Sequence, residues 1–260
     1  MCDTEKNELS AEGIRKYIVN ENLRNIDIFC YSETDSTNTR AKMHAQGGGG
    51  VSVFVADGQT AGRGRRGRSF NSERGAGLYI SLITFPRGSA QDAVRITARA
   101  AVVLCRAIEA LSSVSPKIKW VNDLTVNNKK LAGILTEGAI DESGELSYAV
   151  CGMGINLYKR SFPSEIADIA TSIEDISGER ISRAALAAMI IEGLLSEDNG
   201  EFMDDYRRLS SVIGETVTVY RGEECFSARA IDISDAGELI VERDGSEVRL
   251  FSGEVSIKKV

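Results

Sequence analysis

The stretch of sequence that decides the fold, residues 51–70, reads VSVFVADGQTAGRGRRGRSF. It begins with a β-branched and apolar run, Val51 to Ala56, which predicts a buried strand. Four arginines then alternate with three glycines over residues 62–68, and Leu78 to Phe85 predicts the next buried strand. Glycine leaves backbone N–H groups open to phosphate, and arginine offers permanently charged donors to phosphate and carboxylate oxygens. The pattern predicts an anion-binding loop between two strands.

Two alternatives stay open for this loop when it is taken alone. It would also suit a solvated basic loop or an RNA-contacting Arg-Gly segment. The net charge of −7 argues against a protein that binds nucleic acid through bulk charge. The position between two predicted strands also differs from the disordered tails in which Arg-Gly RNA segments usually lie.

Outward from this unit, the sequence predicts an α+β fold, a mixed sheet with helices on one face. An apolar stripe from Val94 to Leu111 predicts one helix, and residues 183–195 predict a second, well-buried helix. After Ile213 short alternating strands follow one another, and Asp244-Gly245 between two of them is a strong hairpin signal. We expect an N-terminal helix and linker over 1–30, a main domain over 31–211, and a small β-barrel domain over 212–260.

The composition excludes several classes of protein. Hydrophobic residues at 42% and charged residues at 27% are ordinary for a globular chain, so most of it should be ordered. The five cysteines are scattered without a CxxC pair, which favours reduced thiols over a disulfide framework or a zinc site. The start is acidic and polar, unlike a signal peptide, and no apolar run approaches the ~20 residues that cross a bilayer. We expect a soluble cytoplasmic protein.

Charged residues mark two further segments. In Lys119-Trp120-Val121-Asn122-Asp123, Lys119 and Asp123 place opposite charges where a buried strand reaches the surface, a common place for ligands. Asp123 would suit a magnesium ion or an arginine, and an Asx turn explains it equally well. Lys130 follows an Asn127-Asn128 turn and enters an apolar strand, where it would point into a pocket. The alternative is an edge lysine that reaches into water.

The glycines and the single histidine restrict the kinds of reaction that the sequence can support. Gly152 and Gly154 alternate in a predicted strand, which indicates close approach by a ligand or a neighbouring element. The segment lacks the third glycine of a dinucleotide fingerprint, which excludes NAD binding. His44, the one histidine, is predicted to be a solvated loop residue, so a Ser-His-Asp triad and most zinc enzymes are excluded. Chemistry that rests on electrostatics and positioning is typical of phosphoryl or nucleotidyl transfer.

Taken in order, five segments resemble the successive signatures of biotin–protein ligases. They are residues 36–38, 57–68, 119–123, 130–135 and 152–156. The resemblance covers about residues 30 to 160, and the C-terminal β domain extends it to the end. It implies a class II synthetase-like catalytic domain with an SH3-like C-terminal barrel.

The resemblance also implies a two-step reaction. The biotin carboxylate attacks the α-phosphate of ATP with the help of Mg²⁺, which gives biotinyl-5′-AMP and pyrophosphate. A lysine of a biotin carrier domain, such as that of acetyl-CoA carboxylase, then takes the biotin. The resemblance implies catalytic roles for Lys130, Arg63 and Asp123, of which Asp123 is a candidate metal ligand.

Binding roles follow from the same motifs. The implied biotin-binding residues are Ser36, Thr37, Asn38, Gln59, Gly62, Arg63, Gly64, Arg65, Lys130, Gly133, Gly152 and Gly154. The implied nucleotide-binding residues are Arg65, Arg66, Arg68, Phe70, Lys119, Asn122 and Asn156.

The sequence departs from the family pattern at two positions. Val121 stands where the family usually has proline, and Phe70 stands where many members have tryptophan. Neither change removes a charge, so we expect altered adenine packing rather than lost activity. Some members of the resembled family carry an N-terminal winged-helix repressor domain of roughly sixty residues. Only about thirty residues precede Thr34 here, so we expect a ligase that does not bind DNA. We separately expect a homodimer through the central sheet. A lipoate–protein ligase and a non-catalytic nucleotide- or RNA-binding module are the alternatives.

Overall fold

A computed structural model describes residues 9–86, 92–196, 202–251 and 255–259 of the 260-residue chain. The helices are α1 (Ala11–Arg15), α2 (Thr37–Gln46), α3 (Asp92–Leu111), α4 (Ile173–Ser177), α5 (Arg183–Leu195) and α6 (Phe202–Leu209). The strands are β1 (Asp27–Tyr31), β2 (Ser52–Ala56), β3 (Gly77–Thr84), β4 (Lys117–Lys119), β5 (Asp123–Val126), β6 (Lys129–Ile140), β7 (Leu146–Asn156), β8 (Thr216–Arg221), β9 (Glu224–Ile233), β10 (Leu239–Arg243), β11 (Ser246–Leu250) and β12 (Val255–Lys259).

Seven strands form the first sheet, in the order β1-β2-β3-β7-β6-β5-β4. Strands β1 and β2 are parallel and the other neighbours are antiparallel. The predicted mixed sheet is therefore confirmed. The predicted boundary at residue 31 falls inside β1, because the first strand of the sheet already begins at Asp27.

The two faces of this sheet are covered differently. Alternate residues of a strand point to opposite faces, so Val53 and Val55 join the large core while Phe54 joins a second, small cluster. Helices α3, α5 and α6 contribute to the large core, as predicted for helices on one face. Helix α2 lies on the other face, where Ala41 packs in the small cluster.

Helix α2 was not predicted, because its sequence TNTRAKMHAQ carries no apolar stripe. It buries the polar residues Thr37 and Asn38 in its first turn instead. The prediction that His44 is a solvated loop residue is wrong. His44 lies in the last turn of α2, where its ring centroid is 5.2 Å from that of Phe29 and 5.5 Å from that of Phe54.

Five antiparallel strands form the second sheet, in the order β11-β10-β9-β8-β12. Asp244 (φ 51°) and Gly245 (φ 77°) make the turn between β10 and β11, which confirms the predicted Asp-Gly hairpin. The sheet touches the main domain where the Trp120 indole N–H donates to the Gly237 carbonyl over 3.0 Å. No helix among the described residues is long and apolar enough to span a bilayer.

Candidate active site

A cavity of about 230 Å³ lies over the α2 face of the first sheet. Along β7, Tyr148 and Val150 pack under α2 in the small cluster. The next residues on the same face are Gly152 and Gly154, which have no side chain and so leave space above the strand. The cavity therefore opens over the face of the sheet.

The glycines make room for neighbouring side chains. A Cβ atom at Gly152 would lie 1.8 Å from Asn38 Oδ1, and one at Gly154 would lie 2.5 Å from the Phe70 ring. A Cβ atom at Gly133 would lie 3.0 Å from the ammonium nitrogen of Lys130. The predicted close approach at Gly152 and Gly154 is confirmed: the Asn38 side chain lies against Gly152, and the Phe70 ring lies against Gly154.

Most of the residues singled out in the sequence meet at this cavity. Its lining includes Ser36, Thr37, Asn38, Gln59, Arg63, Gly64, Arg65, Arg66, Arg68, Phe70, Lys119, Asn122, Asp123, Lys130, Gly133, Gly152 and Gly154. Gly62 and Asn156 do not line it. Gly62 packs closely behind Phe70, whose amide donates to its carbonyl over 2.9 Å. Asn156 is buried and its Oδ1 accepts from Arg160 over 2.9 Å.

One end of the cavity is a polar floor formed by Ser36, Thr37, Asn38 and Gln59. Gln59 Oε1 accepts from the Thr37 amide over 2.8 Å and lies 3.1 Å from the Thr37 hydroxyl. The buried Ser81 hydroxyl lies 2.7 Å from Thr37 Oγ1 and 2.6 Å from Asn38 Oδ1. Ser36 is the N-cap residue of α2, yet its hydroxyl makes no capping hydrogen bond. The polar floor therefore offers fixed acceptors beside a hydroxyl that its helix does not use.

The rest of the cavity is strongly basic, and we call its six basic side chains the cationic wall. They are Arg63, Arg65, Arg66, Arg68, Lys119 and Lys130. Asp123 is the one carboxylate among the described lining residues. Six cations facing one anion across a small cavity would attract a ligand with several negative charges.

The arginines stand on a short hairpin, residues 62–69, called here the Gly/Arg loop. Arg63 and Ser69 form an antiparallel bridge at its base. At its tip, Arg66 and Gly67 have φ of 55° and 74°, the left-handed region that glycine adopts without strain. The alternation of glycine and arginine thus gives a tight turn that carries long cationic side chains outward.

Arg65 crosses from the Gly/Arg loop to the segment after β4. Its Nη1 donates to Asn122 Oδ1 over 3.1 Å. Burial, together with the charge of Arg66, lowers the pKa of Arg65, and the charge of Asp123 opposes that change. In the same segment the Trp120–Val121 peptide bond is cis, at the position where the resembled family has proline.

Lys130 is fixed at both its backbone and its side chain. Its amide donates to the Ile169 carbonyl over 2.7 Å, and its carbonyl accepts from the Thr171 amide over 2.9 Å. Its Nζ lies 2.7 Å from Asp123 Oδ1 and 5.8 Å from the Phe70 ring centroid. The predicted pocket-facing lysine is thus an ion-paired ammonium that lines the cavity.

The partner of Asp123 differs from the sequence expectation. Lys119 and Asp123 are opposite one another in the β4–β5 pair, as the sequence suggested. The ion pair, however, joins Asp123 to Lys130 on β6. Among the described residues, no three histidine, cysteine, aspartate or glutamate side chains converge on a possible metal site.

Sequence reasoning assigned no role to Glu137, which lies on β6 at the edge of the polar floor. Its Oε1 is 2.8 Å from Lys42 Nζ and 3.3 Å from Arg63 Nη2. Its Oε2 accepts from Asn38 Nδ2 over 2.9 Å. Burial raises the pKa of Glu137, but the hydrogen bonds from Lys42 and Asn38 and the charges of Lys42 and Arg63 lower it overall. The available signal in the sequence was an acidic residue in the mostly apolar part of β6 that follows Lys130.

Comparison with known proteins agrees with this architecture. The biotin/lipoate A/B protein ligase family matches residues 31–156, and the biotin protein ligase C-terminal domain matches residues 212–258. The chain is 33% identical to the bifunctional ligase/repressor BirA of Bacillus spizizenii over 214 residues, which are 79% of this chain and 66% of that protein. The chain thus spans just under two thirds of the length of that bifunctional relative.

A relative of similar length is the biotin–[acetyl-CoA-carboxylase] ligase of Mycobacterium tuberculosis. It is 30% identical over 250 residues, which cover 89% of this chain and 88% of that protein. Among solved structures, the biotin protein ligase from Aquifex aeolicus in complex with biotin and ATP superposes with a TM-score of 0.76 at 25% identity, covering 90% of this chain and 99% of that one. The chain belongs to the biotin protein ligase family.

Proposed function

We propose that this chain is an enzyme that activates biotin with ATP to biotinyl-5′-AMP and transfers the biotin to a lysine of a carrier protein. The observation that carries this proposal is the two-ended cavity. Its polar floor suits a small neutral group that has both hydrogen-bond donors and an acceptor. Its cationic wall suits a chain of phosphates. Biotin has a ureido group at one end and a carboxylate at the other, so it would span the two ends.

The ureido group matches the polarity of the polar floor. It has two N–H donors and one carbonyl acceptor. The Thr37 hydroxyl oxygen and Asn38 Oδ1 would accept the N–H groups, and the Ser36 hydroxyl would donate to the carbonyl. The dithiolane of lipoate has no such groups, so it would leave the buried Ser36 hydroxyl without a hydrogen-bond partner. The polar floor therefore favours a biotin ligase over a lipoate ligase within the same family.

Lys130 would act at the point where the charges meet. A biotin carboxylate oxygen attacks the α-phosphorus of ATP, and pyrophosphate leaves. The ammonium of Lys130 is fixed by its strand and by Asp123, so it would stabilise the negative charge that develops between carboxylate and phosphate. Arg65 would reach the same phosphate from the Gly/Arg loop. Phe70, half-buried over Gly154, would offer its ring to adenine.

Magnesium would fit beside Asp123. Mg²⁺ is commonly held by one or two carboxylates together with substrate phosphate oxygens, and Asp123 is a single carboxylate facing a cationic cavity. The ion would supply further charge neutralisation on the phosphates. In the second step the neutral amine of a carrier lysine attacks the mixed anhydride, AMP leaves, and the amine releases one proton.

Relatives bear on the identity of the carrier. The relative from Mycobacterium tuberculosis is named for the acetyl-CoA carboxylase that it modifies. We infer that the acceptor of this chain is likewise the biotin carrier domain of a carboxylase. We also expect a protein that does not bind DNA, in line with the net charge of −7. A homodimer and a cytoplasmic location remain expectations.

The test is pyrophosphate release by the purified protein. We expect release that requires biotin, ATP and Mg²⁺ together, followed by amide formation on a biotin carrier domain. The same carrier with its acceptor lysine changed to arginine is the matched control. Release with lipoate in place of biotin would assign the chain to the other branch of the family. No biotin-dependent release, with no heat of biotin binding in a calorimetric titration, would leave only a nucleotide- or RNA-binding module.

A further inference from the structure

Glu137 connects three parts of the cavity without lining it. Its carboxylate contacts Asn38 and Lys42, which lie one turn apart on α2, and Arg63, at the base of the Gly/Arg loop. The side chain is 20% exposed, so water screens these electrostatic contacts only weakly. A charged side chain at such a junction holds its neighbours in fixed positions.

The contact with Asn38 fixes the orientation of an amide. Asn38 Nδ2 lies 2.9 Å from Glu137 Oε2 and 3.2 Å from the Leu135 carbonyl. A carboxylate and a carbonyl only accept hydrogen bonds, so the group that faces them must be the NH₂ group. Asn38 Oδ1 therefore points the other way, toward the Ser81 hydroxyl and Gly152. Glu137, together with the Leu135 carbonyl, thus makes Asn38 present an acceptor to the cavity.

The contact with Arg63 ties the Gly/Arg loop to the polar floor. Arg63 and Lys42 share the same carboxylate oxygen, at 3.3 and 2.8 Å. Arg63 is also the residue that pairs with Ser69 to close the hairpin. The position of the hairpin base and the orientation of Asn38 therefore depend on one carboxylate.

We propose that Glu137 is a positioning residue that sets the hydrogen-bonding polarity of the biotin end of the cavity through Asn38 and holds the Gly/Arg loop against that end through Arg63. The inference rests on the proposed function, since it assumes that the polar floor receives the ureido group. It predicts that loss of the Glu137 charge weakens the binding of biotin far more than the binding of ATP, although Glu137 contacts neither ligand.

The decisive variant is Glu137→Gln, which keeps the shape and removes the charge. A glutamine amide can donate as well as accept, so only the Leu135 carbonyl, 3.2 Å from Asn38 Nδ2, would still hold the Asn38 amide in its orientation. We expect the KM for biotin to rise roughly tenfold or more, the size expected when a hydrogen bond to a charged group is lost. The KM for ATP should change by less than about threefold. Glu137→Asp keeps the charge and should recover part of the biotin KM.

Asp205→Asn is the matched control. Like Glu137, Asp205 is a mostly buried carboxylate that pairs with two cations; it is 22% exposed and contacts Arg106 and Arg208. It lies on α6 and does not line the cavity. Its variant should leave both KM values unchanged. A purely structural role of Glu137 would instead lower the melting temperature of Glu137→Gln without a selective change in its KM for biotin.

A second variant keeps the test decisive if Glu137→Gln does not fold. Ser81→Ala removes the hydroxyl beside Asn38 Oδ1 without changing any charge, and it should also raise the KM for biotin selectively. In the Asn38→Ala background, Glu137→Gln should raise the KM for biotin little further, because the Asn38 amide through which Glu137 acts is already absent. Biotin KM values within twofold of wild type in both single variants would overturn the inference. Absence of biotin-dependent pyrophosphate release in the wild type would instead overturn the proposed function.

Discussion

The polar floor and the cationic wall of one cavity are built by opposite means. The side chains of the polar floor are buried or half-buried, and those of Thr37, Asn38 and Gln59 are already paired with one another or with Ser81 and Glu137. The side chains of the cationic wall are long, and several of them stand on the Gly/Arg loop. Lys130 combines the two designs, because it is a long cation on a β-strand with its backbone amide and carbonyl both hydrogen-bonded.

This difference separates shape recognition from charge recognition. Fixed neutral hydrogen bonds discriminate strongly between ligands, since a wrong ligand leaves buried groups unpaired. A group of cations attracts any polyanion, and this attraction weakens as ionic strength rises. Loss of Lys130 should therefore reduce turnover most. Changes in the polar floor should affect only the binding of biotin, and the arginines should determine how nucleotide binding depends on salt.

Lys130→Ala should have the largest effect. Removing a fixed cation from the reacting phosphate should lower biotin-dependent pyrophosphate release by about a hundredfold to a thousandfold. Lys129→Ala, which changes the exposed neighbouring lysine, is the control and should be near wild type. Circular dichroism should show that both variants fold. Wild-type turnover by Lys130→Ala would remove this residue from the reaction.

Thr37→Val should have an intermediate effect, confined to biotin. Valine keeps the volume but removes the hydroxyl that contacts Gln59 and Ser81. We expect the KM for biotin to rise about tenfold, with the KM for ATP unchanged. Ser112→Ala, which removes a hydroxyl bonded to the Ile108 carbonyl at the end of α3, is the control. A parallel rise in both KM values would contradict the division between polar floor and cationic wall.

Salt should have the smallest effect, and it should weaken the binding of the nucleotide more than that of biotin. Between about 0.01 and 0.1 M salt the Debye length falls from ~30 to ~10 Å. Calorimetric titration at constant Mg²⁺ should show a severalfold loss of affinity for a non-hydrolysable ATP analogue over this range. Biotin, which has one charge and a neutral ureido end, should lose much less. Equal losses for both ligands would show that the cationic wall extends its influence to the biotin end.

Local patterns in the sequence were enough to predict the main elements. Residues 183–195 form a helix with the predicted bounds, because their apolar composition allows little else than a buried helix. The Asp-Gly turn fixed the β10–β11 hairpin in the same way. Helix α2 escaped prediction because its stability comes from packing Thr37, Asn38 and Ala41 against the sheet. No periodicity within the helix itself records those contacts.

Contacts between distant residues of the site could not be predicted. The sequence identified Asp123 and Lys130 as candidates but gave no means to pair them, since the pairing depends on a register shift between Leu124 and Thr125 in the β5–β6 pair. Glu137 and Asn38 are 99 positions apart. Their hydrogen bond forms because α2 lies on the same face of the sheet as the Glu137 side chain, the face opposite the large core.

The hydrogen bond from Trp120 to Gly237 has a consequence for how variants of this chain should be understood. It joins a residue of the cavity lining to a turn of the second sheet, 117 positions away. A ligand that orders Trp120 therefore also stabilises that turn, and loss of the turn leaves a buried indole N–H unpaired. In a mutational screen for activity, substitutions at Gly237 would group with the residues of the cavity, although the turn lies in the other domain.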